Sequence, residues 1–293
     1  MSSPLSSAAS VGRDTATAAV ATLLTAVLLA AGFLAPLDRS VGDALLRLTH
    51  RHPAAVPVAA VAIDDRSVAE LGPLPWPRPR LAGLVAAAHA AEARAVLVDL
   101  LLTDAGDSAA DERFAEAISA GPTVLAAAIA PDGSWLLPDP VFGGADFAAH
   151  VQFEVGPDGV ARTLMATKQA GGLSLPAMSL AAARLVRPEL AVEPGRTLRP
   201  DFRPGPDQIS QVAAAELLAG GESVRRLAGN LVFIGITATG SGDRLIVPTG
   251  PRSGLAPGVL VHASVTSSLL RGGMVTRPSA TWLLLGTFPV SYT

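Results

Sequence analysis

Apolar runs of strand length alternate with helical patterns in the first half of the chain. Between the first two runs, residues 80–91 place apolar side chains at helical spacing. A later helix pairs Phe114 with Ile118, and Ser108 followed by Asp111 resembles a capping box at its start. This β-α-β-α-β order is typical of a parallel sheet with helices on both faces. The three predicted buried strands cover residues 58–63, 95–100 and 123–129.

The pattern changes in the second half. Asp158-Gly159 is a turn dipeptide between two short runs, residues 151–154 and 160–167, and it predicts a β-hairpin. Residues 187–207 are rich in Pro, Arg and Gly, which predicts an irregular surface segment. The sequence therefore predicts an α/β fold whose mostly parallel central sheet is flanked by helices, with an added hairpin. The remaining predicted elements are helices over residues 175–186, 212–218 and 258–270 and a buried strand over residues 231–236.

Two uncharged stretches lie outside this region. Residues 16–37 would span about 33 Å as a helix, enough to cross a bilayer core. The alternative is a cleaved signal peptide, whose apolar region is usually shorter, about 7–15 residues. Residues 279–293 predict the start of a second, truncated transmembrane helix, or alternatively an apolar tail packed on the domain. We expect an N-terminal tail (residues 1–15), one transmembrane helix before the fold, and an extracytoplasmic domain over residues 40–278.

Composition removes several classes of function. The net charge of −3 provides no basic surface for nucleic acid. The chain has no Cys, which excludes disulfides, thiolate nucleophiles and Cys-based zinc sites. The Gly-rich loop over residues 235–243 lacks the Lys-Ser/Thr pair of a P-loop. We expect His262 to be buried and hydrogen-bonded rather than catalytic, and we predict no cofactor and no metal site.

Four acids follow predicted strands and form the first candidate site. Ligands of open α/β sheets bind beyond the carboxyl ends of the strands, where Asp64, Asp65, Asp99 and Asp243 should lie. Carboxylates there could contact a ligand's hydroxyl or amine groups, or a hard cation such as Mg²⁺ or Ca²⁺. The structural alternative is that they cap helices and accept backbone N–H bonds in tight turns.

The second candidate is the proline-fixed sequence Pro75-Trp76-Pro77-Arg78-Pro79. Its Trp76 and Arg78 offer an aromatic face and a cation, so they are predicted to stack on a ligand or to bind an anion. In the structural alternative, Trp76 closes the domain edge and Arg78 forms a salt bridge with Asp64 or Asp65.

VAIDDRSVAELGPLPWPRPR and AVLVDLLLTD resemble the opening signature and the second block of the CHASE type 2 family of sensory extracellular domains. GVARTLMA and LPAMSLAAARL resemble a Gly-x-x-Arg strand and the helix after it. LAGNLVFIGITATGSGDRLIVPTG and PGVLVHASVTSSLL resemble the closing blocks, so the likeness covers residues 41–278 in order. Leu102 and Leu260 depart from it, since an aromatic residue and an acid are usual there.

The resemblance implies a non-catalytic input domain held at the inner membrane of a bacterium. It would detect a small ligand or a periplasmic partner and signal to a cyclase or histidine kinase domain that this chain lacks. A second copy of the chain is a further possible partner, and no nucleic acid is expected. Two alternatives stay open: an exported structural or protein-docking module, and a metal-dependent hydrolase that uses the Asp cluster.

Overall fold

A computed structural model describes residues 20, 23, 24, 27, 33, 35–48, 56–240, 243–249 and 254–275. The chain divides into two units, residues 50–275 and a smaller unit formed by residues 1–49 and 276–293. Most of the predicted membrane segment 16–37, and all of segment 279–293, lies outside the described residues.

The smaller unit includes the helix α1 (Ala35–Leu48), which has an acidic first turn and a basic last turn. Helix α1 begins just before the uncharged segment ends at residue 37 and extends beyond that end. Within the described part of the chain, no helix has both the length and the apolarity needed to cross a bilayer. The predicted transmembrane helix is thus not supported by the described residues.

The larger unit is a central sheet with helices on both faces and a β-rich extension. Its helices are α2 (Asp65–Leu71), α3 (Arg78–Ala90), α4 (Ser108–Ser119), α5 (Met178–Val186), α6 (Ala214–Leu218) and α7 (Gly258–Arg271). Its strands are β1 (Val58–Ile63), β2 (Ala95–Leu101), β3 (Thr123–Ile129), β4 (Trp135–Leu136), β5 (Ala148–His150), β6 (Glu154–Val155), β7 (Ala161–Met165), β8 (Thr167–Ala170), β9 (Leu173–Pro176), β10 (Thr197–Leu198), β11 (Ser210–Ala213), β12 (Leu231–Ile236), β13 (Arg244–Leu245) and β14 (Ala256–Pro257).

The central sheet has the order β11-β1-β12-β2-β3, and β3 then pairs with both β4 and β5. All of these pairs are parallel except β3 with β4. The predicted mostly parallel sheet is therefore confirmed. The late strand β12 lies between β1 and β2, so Gly235 pairs with both Ala62 and Asp99.

Alternate side chains of the strands enter two different cores. Val61, Val98 and Ile234 pack with α3, α4 and α6 on one face. Leu97 and Phe233 pack with α5 and α7 on the other face. This two-sided burial explains the continuous apolar runs of the strands, because every side chain of β1 and most of those of β2 are buried.

Helix α7 is buried along almost its whole length, from residue 258 to residue 269. One side packs on the sheet at Gly235, where an added Cβ would lie 2.6 Å from Cβ of Val259. The other side contributes Val265 to a third core with Leu164 and Phe202 of the β-rich extension. Glycine at position 235 therefore permits the close approach of helix and sheet.

Several predicted boundaries were wrong. The helix predicted over residues 175–186 begins at Met178, because residues 173–176 form β9 of a hairpin. The helix predicted over residues 212–218 begins only after β11, a short edge strand paired with β1. The predicted Ser108 cap is instead Asp107, whose carboxylate accepts a hydrogen bond from the Ala110 amide at 3.1 Å. Short edge strands and helix caps contain too few residues to show a hydrophobic pattern. Their ends therefore cannot be located from the sequence to within one residue.

Candidate functional site

The acids that follow β1 are both engaged in local hydrogen bonds. Asp64 is the N-cap of α2, and its Oδ1 accepts a hydrogen bond from the Ser67 amide at 2.8 Å. Asp65 accepts from both the amide and the hydroxyl of Thr239, each at 2.8 Å. These hydrogen bonds lower the pKa of Asp65, because they favour the ionised carboxylate. The corner after β1 is thereby tied to the loop after β12.

Trp76 lies in the core between the sheet and its helices and does not present its ring to solvent. Its indole Nε1 donates a hydrogen bond to the Gly72 carbonyl at 2.8 Å. The Arg80 guanidinium lies 5.4 Å from the ring centroid, within the range of a cation–π interaction. The indole thus holds the segment between α2 and α3 against the domain.

Arg78 makes its ion pair with Asp111, a nearly buried residue of α4. The guanidinium Nε lies 3.3 Å from Asp111 Oδ1, and the two side chains are only 19% and 3% exposed. Arg78 also donates to the Asp104 carbonyl at 2.8 Å, and its guanidinium lies 5.4 Å from the Phe142 ring centroid. The predicted pairing of Arg78 with Asp64 or Asp65 was wrong, because α4 brings Asp111 to the start of α3.

Asp99 differs from these residues because one of its oxygens has no donor. Its side chain leaves β2 on the same face as Leu97, the face covered by α5 and α7. The Oδ2 atom is shielded from solvent and has no hydrogen-bond partner. Burial, together with the nearby charge of Asp243, raises the pKa of Asp99 to about 8. Asp99 is therefore mostly protonated at neutral pH.

Asp243 completes this acid pair at the start of α7. Its carboxyl group lies so close to Gly258 that a Cβ at position 258 would overlap it. Although Asp243 is exposed as a whole residue, this close packing desolvates the carboxyl group and raises its pKa. The N-terminus of a helix favours a negative charge, which partly offsets the cost of ionising either acid.

The contacts of the six predicted site residues fall into separate groups. Asp64 and Asp65 serve the corner, Trp76 and Arg78 anchor the start of α3, and Asp99 interacts with Asp243. No group of three His, Asp or Glu side chains suited to a metal ion occurs among the residues that the structure describes. Sequence reasoning did not predict Asp111 and Thr239 as partners of Arg78 and Asp65, because the fold brings them together from distant segments.

His262 is buried, and its ring nitrogens have partners on two other elements. Its Nε2 lies 3.1 Å from the Val151 carbonyl, which can only accept, so Nε2 carries the proton. The Nδ1 atom therefore accepts a hydrogen bond from the Ser179 hydroxyl, and the Nδ1–Oγ distance is 3.0 Å. Burial lowers the pKa of His262 to about 3, which keeps the ring neutral. The predicted buried, hydrogen-bonded role of His262 is confirmed.

Two cavities lie away from these residues. The first, of about 450 Å³, is here called the Lys168 cavity, and the second, of about 540 Å³, the Glu222 cavity. Neither is lined by any of the six predicted site residues. Lys168 is the only lysine of the chain, and all other residues counted as Lys or Arg are arginines. This was the one sequence feature that singled out a residue of the cavity.

Comparison with family models identifies the family of this α/β domain. The family model of the CHASE2 domain matches residues 19–291. The chain therefore belongs to the CHASE2 domain family, which comprises sensory extracellular domains associated with signalling proteins. No curated protein and no solved structure matched the chain. Leu102 and Leu260, which depart from the expected pattern, are both buried in the cores and fill apolar positions.

Proposed function

We propose that this chain is the extracytoplasmic input domain of a membrane-anchored bacterial signalling receptor. The observation that carries the proposal is the CHASE2 match over residues 19–291. Residues 16–37 would supply the anchor, and the domain would bind a small molecule or a periplasmic partner. A following cyclase or kinase domain would then respond to the bound state.

The contacts at the carboxyl edge favour a non-catalytic domain over a metal-dependent hydrolase. Asp64, Asp65 and Arg78 are already engaged in hydrogen bonds and an ion pair with other residues of the domain. The Ser179–His262 pair has the groups of a nucleophile and a base, but both residues are buried between α5 and α7. A buried pair in a packed core has no space for a substrate, so its contribution is to hold the two helices together.

The extracytoplasmic location can be tested on the full chain because it contains no Cys. A single cysteine at Glu189, an exposed position after α5, would report the location of the domain. In spheroplasts, the Glu189→Cys protein should react with a membrane-impermeant maleimide. The same reagent with the Cys-free chain is the control for background. Labelling only after lysis would contradict the proposed topology.

Sensing can be tested independently of topology. The full chain, purified in detergent, should show a higher melting temperature when a periplasmic extract is added, since a ligand that binds only the folded state stabilises it. Fractionation by size would then separate a small ligand from a protein partner. A melting temperature unchanged by every fraction would contradict the ligand-sensor form of the proposal and favour a structural or docking module.

A further inference from the structure

The Lys168 cavity has the size of a binding site for a small molecule. Its volume is about 450 Å³, and ligand sites usually measure about 300–1,000 Å³. It lies in the β-rich extension, where the hairpin β8–β9 meets β6, β7 and the end of β3. Parts of five strands thus shape it, so its walls belong to regular structure as well as to loops.

A charged pair lies in the wall of this cavity. Lys168 Nζ is 2.8 Å from Glu154 Oε1. The Lys168 side chain is only 19% exposed, whereas that of Glu154 is 46% exposed. Among the described residues, Glu154 is the only salt-bridge partner of Lys168. An ammonium group has three N–H donors, so a sheltered lysine with one such partner can stabilise a second anion.

Other groups in the wall have complementary chemistry. Gln169 and Ser174 lie directly opposite each other in the β8–β9 ladder, and both line the cavity. Neither side chain has a hydrogen-bond partner among the residues described. Ile129 and Met165 add apolar surface. The cavity therefore combines one cation, one anion, neutral polar groups and an apolar wall.

This combination selects against most ligand classes. An anion without a positive group would meet the carboxylate of Glu154 as well as Lys168, and a simple cation would meet Lys168. An apolar ligand would remove water from both charges without replacing their hydrogen bonds. A zwitterion aligned against the ion pair gives each charge an opposite partner, which extends the pair into a network of four charges.

The Glu222 cavity does not select for a zwitterion in this way. Its ion pair, Arg225 with Glu222, has an N···O separation of 3.8 Å, and the side chains are 83% and 88% exposed. Water screens charges that are so exposed, and such pairs usually contribute little. These two residues therefore offer matched control positions for variants of Lys168 and Glu154.

We propose that the Lys168 cavity binds a small zwitterion of the α-amino-acid type, with the ligand carboxylate at Lys168 and the ligand ammonium at Glu154. The inference rests on the proposed sensory function and names the chemical class of its ligand. Gln169 and Ser174 would hydrogen-bond the polar groups of the ligand, and Ile129 and Met165 would contact its side chain.

The test measures the melting temperature and calorimetric binding of the full chain with each of the twenty standard amino acids. We expect at least one to bind in a concentration-dependent manner. Its N-acetyl derivative lacks the ammonium group and its amide lacks the carboxylate, so each should bind at least tenfold more weakly. Equal binding of either derivative would overturn the zwitterion assignment, and so would an absence of binding by all twenty.

Variants locate the site. Lys168→Gln and Glu154→Gln should each weaken binding of the same amino acid at least tenfold, while Glu222→Gln and Arg225→Gln leave it unchanged. Circular dichroism without ligand checks folding, and the more exposed Glu154 position keeps the test usable if Lys168→Gln misfolds. Binding unaffected by Glu154→Gln would overturn the assignment. If periplasmic extract stabilises the chain but no amino acid does, the sensor proposal stands and this inference fails.

Discussion

The corner after β1 and the acid pair at the start of α7 place carboxyl groups at the same edge of one sheet. At the corner, each acid has N–H or O–H donors, and the pKa of Asp65 is lowered. In the acid pair, Asp99 Oδ2 has no donor, and the pKa of Asp99 rises to about 8. The topological position of an acid therefore does not determine its charge, because burial, neighbouring charges and the available donors decide it.

The largest effect should come from the Arg78–Asp111 pair, which anchors the start of α3 next to this corner. Arg78→Met leaves Asp111 buried without its cation, and loss of one partner of a buried pair usually costs about 3–5 kcal/mol. Arg78 is partly exposed, so we expect a loss of about 3 kcal/mol in the free energy of unfolding. Urea denaturation of the two proteins measures this difference.

A second substitution separates charge from packing. Asp111→Asn in the Arg78→Met background removes the uncompensated charge and retains an oxygen for the Gly106 amide, which donates to Asp111 Oδ2 at 2.6 Å. The double variant should recover part of the lost stability. If it is no more stable than Arg78→Met alone, the stabilisation from Arg78 comes from its packing on Phe142 and not from its charge.

The stability that Asp99 contributes should depend on pH, because its pKa is raised whereas that of Asp65 is lowered. The folded-state pKa of Asp99 is about 8, above the value of about 3.9 in an unfolded chain. The stabilisation from this extra bound proton is complete below about pH 4 and is lost as the pH rises through about 8. Asp99→Asn cannot ionise, so its stability relative to the native chain should increase with pH, by about 3 kcal/mol between pH 5 and pH 7.

Urea denaturation at a series of pH values from 5 to 9 measures this difference. Glu112→Gln, at an exposed position on α4, is the control for the general effect of removing one carboxyl group. A constant difference between Asp99→Asn and the native chain over this range would show that Asp99 is ionised throughout. The contrast between the two regions would then be lost.

The smallest effect concerns the cap of α2. Asp64→Ala removes the acceptor for the Ser67 amide, and the loss of an N-cap typically costs about 1 kcal/mol. Asp64→Asn keeps an acceptor oxygen and should restore most of the stability. Thermal unfolding of both variants measures the effect. Equal destabilisation by Asn and Ala would mean that the carboxylate charge, and not the cap hydrogen bond, stabilises this corner.

The central strands could be predicted from the sequence because they are buried on both faces. Strands β1, β3 and β12 have the predicted bounds, and the observed β2 extends one residue further. The edge strand β11 could not be predicted, since a four-residue strand with a single pairing partner has no distinctive pattern. The same holds for the hairpin β8–β9, whose second strand was read as part of a helix.

The candidate site could be predicted only in part. Four acids were placed at the carboxyl edge from their positions after strands, which follows from the parallel order of the sheet. The partners of Asp65 and Arg78 could not be predicted. Thr239, which contacts Asp65, and Asp111, which pairs with Arg78, come from distant segments of the chain. Lys168 stands out in the sequence as the only lysine, but its pairing with Glu154 was missed because the two residues lie on different strands that meet only in the folded chain.

The sequence by itself determined which segments are buried and which family they belong to, because apolar periodicity and ordered motifs are properties of the chain. Only the tertiary structure decided which charges are compensated. It placed Arg78 against Asp111, gave Asp65 the donors of Thr239, and buried Asp99 beside Asp243 with its Oδ2 atom lacking a donor. Protonation depends on donors and desolvation in three dimensions, so the same residue type serves as a charged hydrogen-bond acceptor in one place and a neutral acid in another.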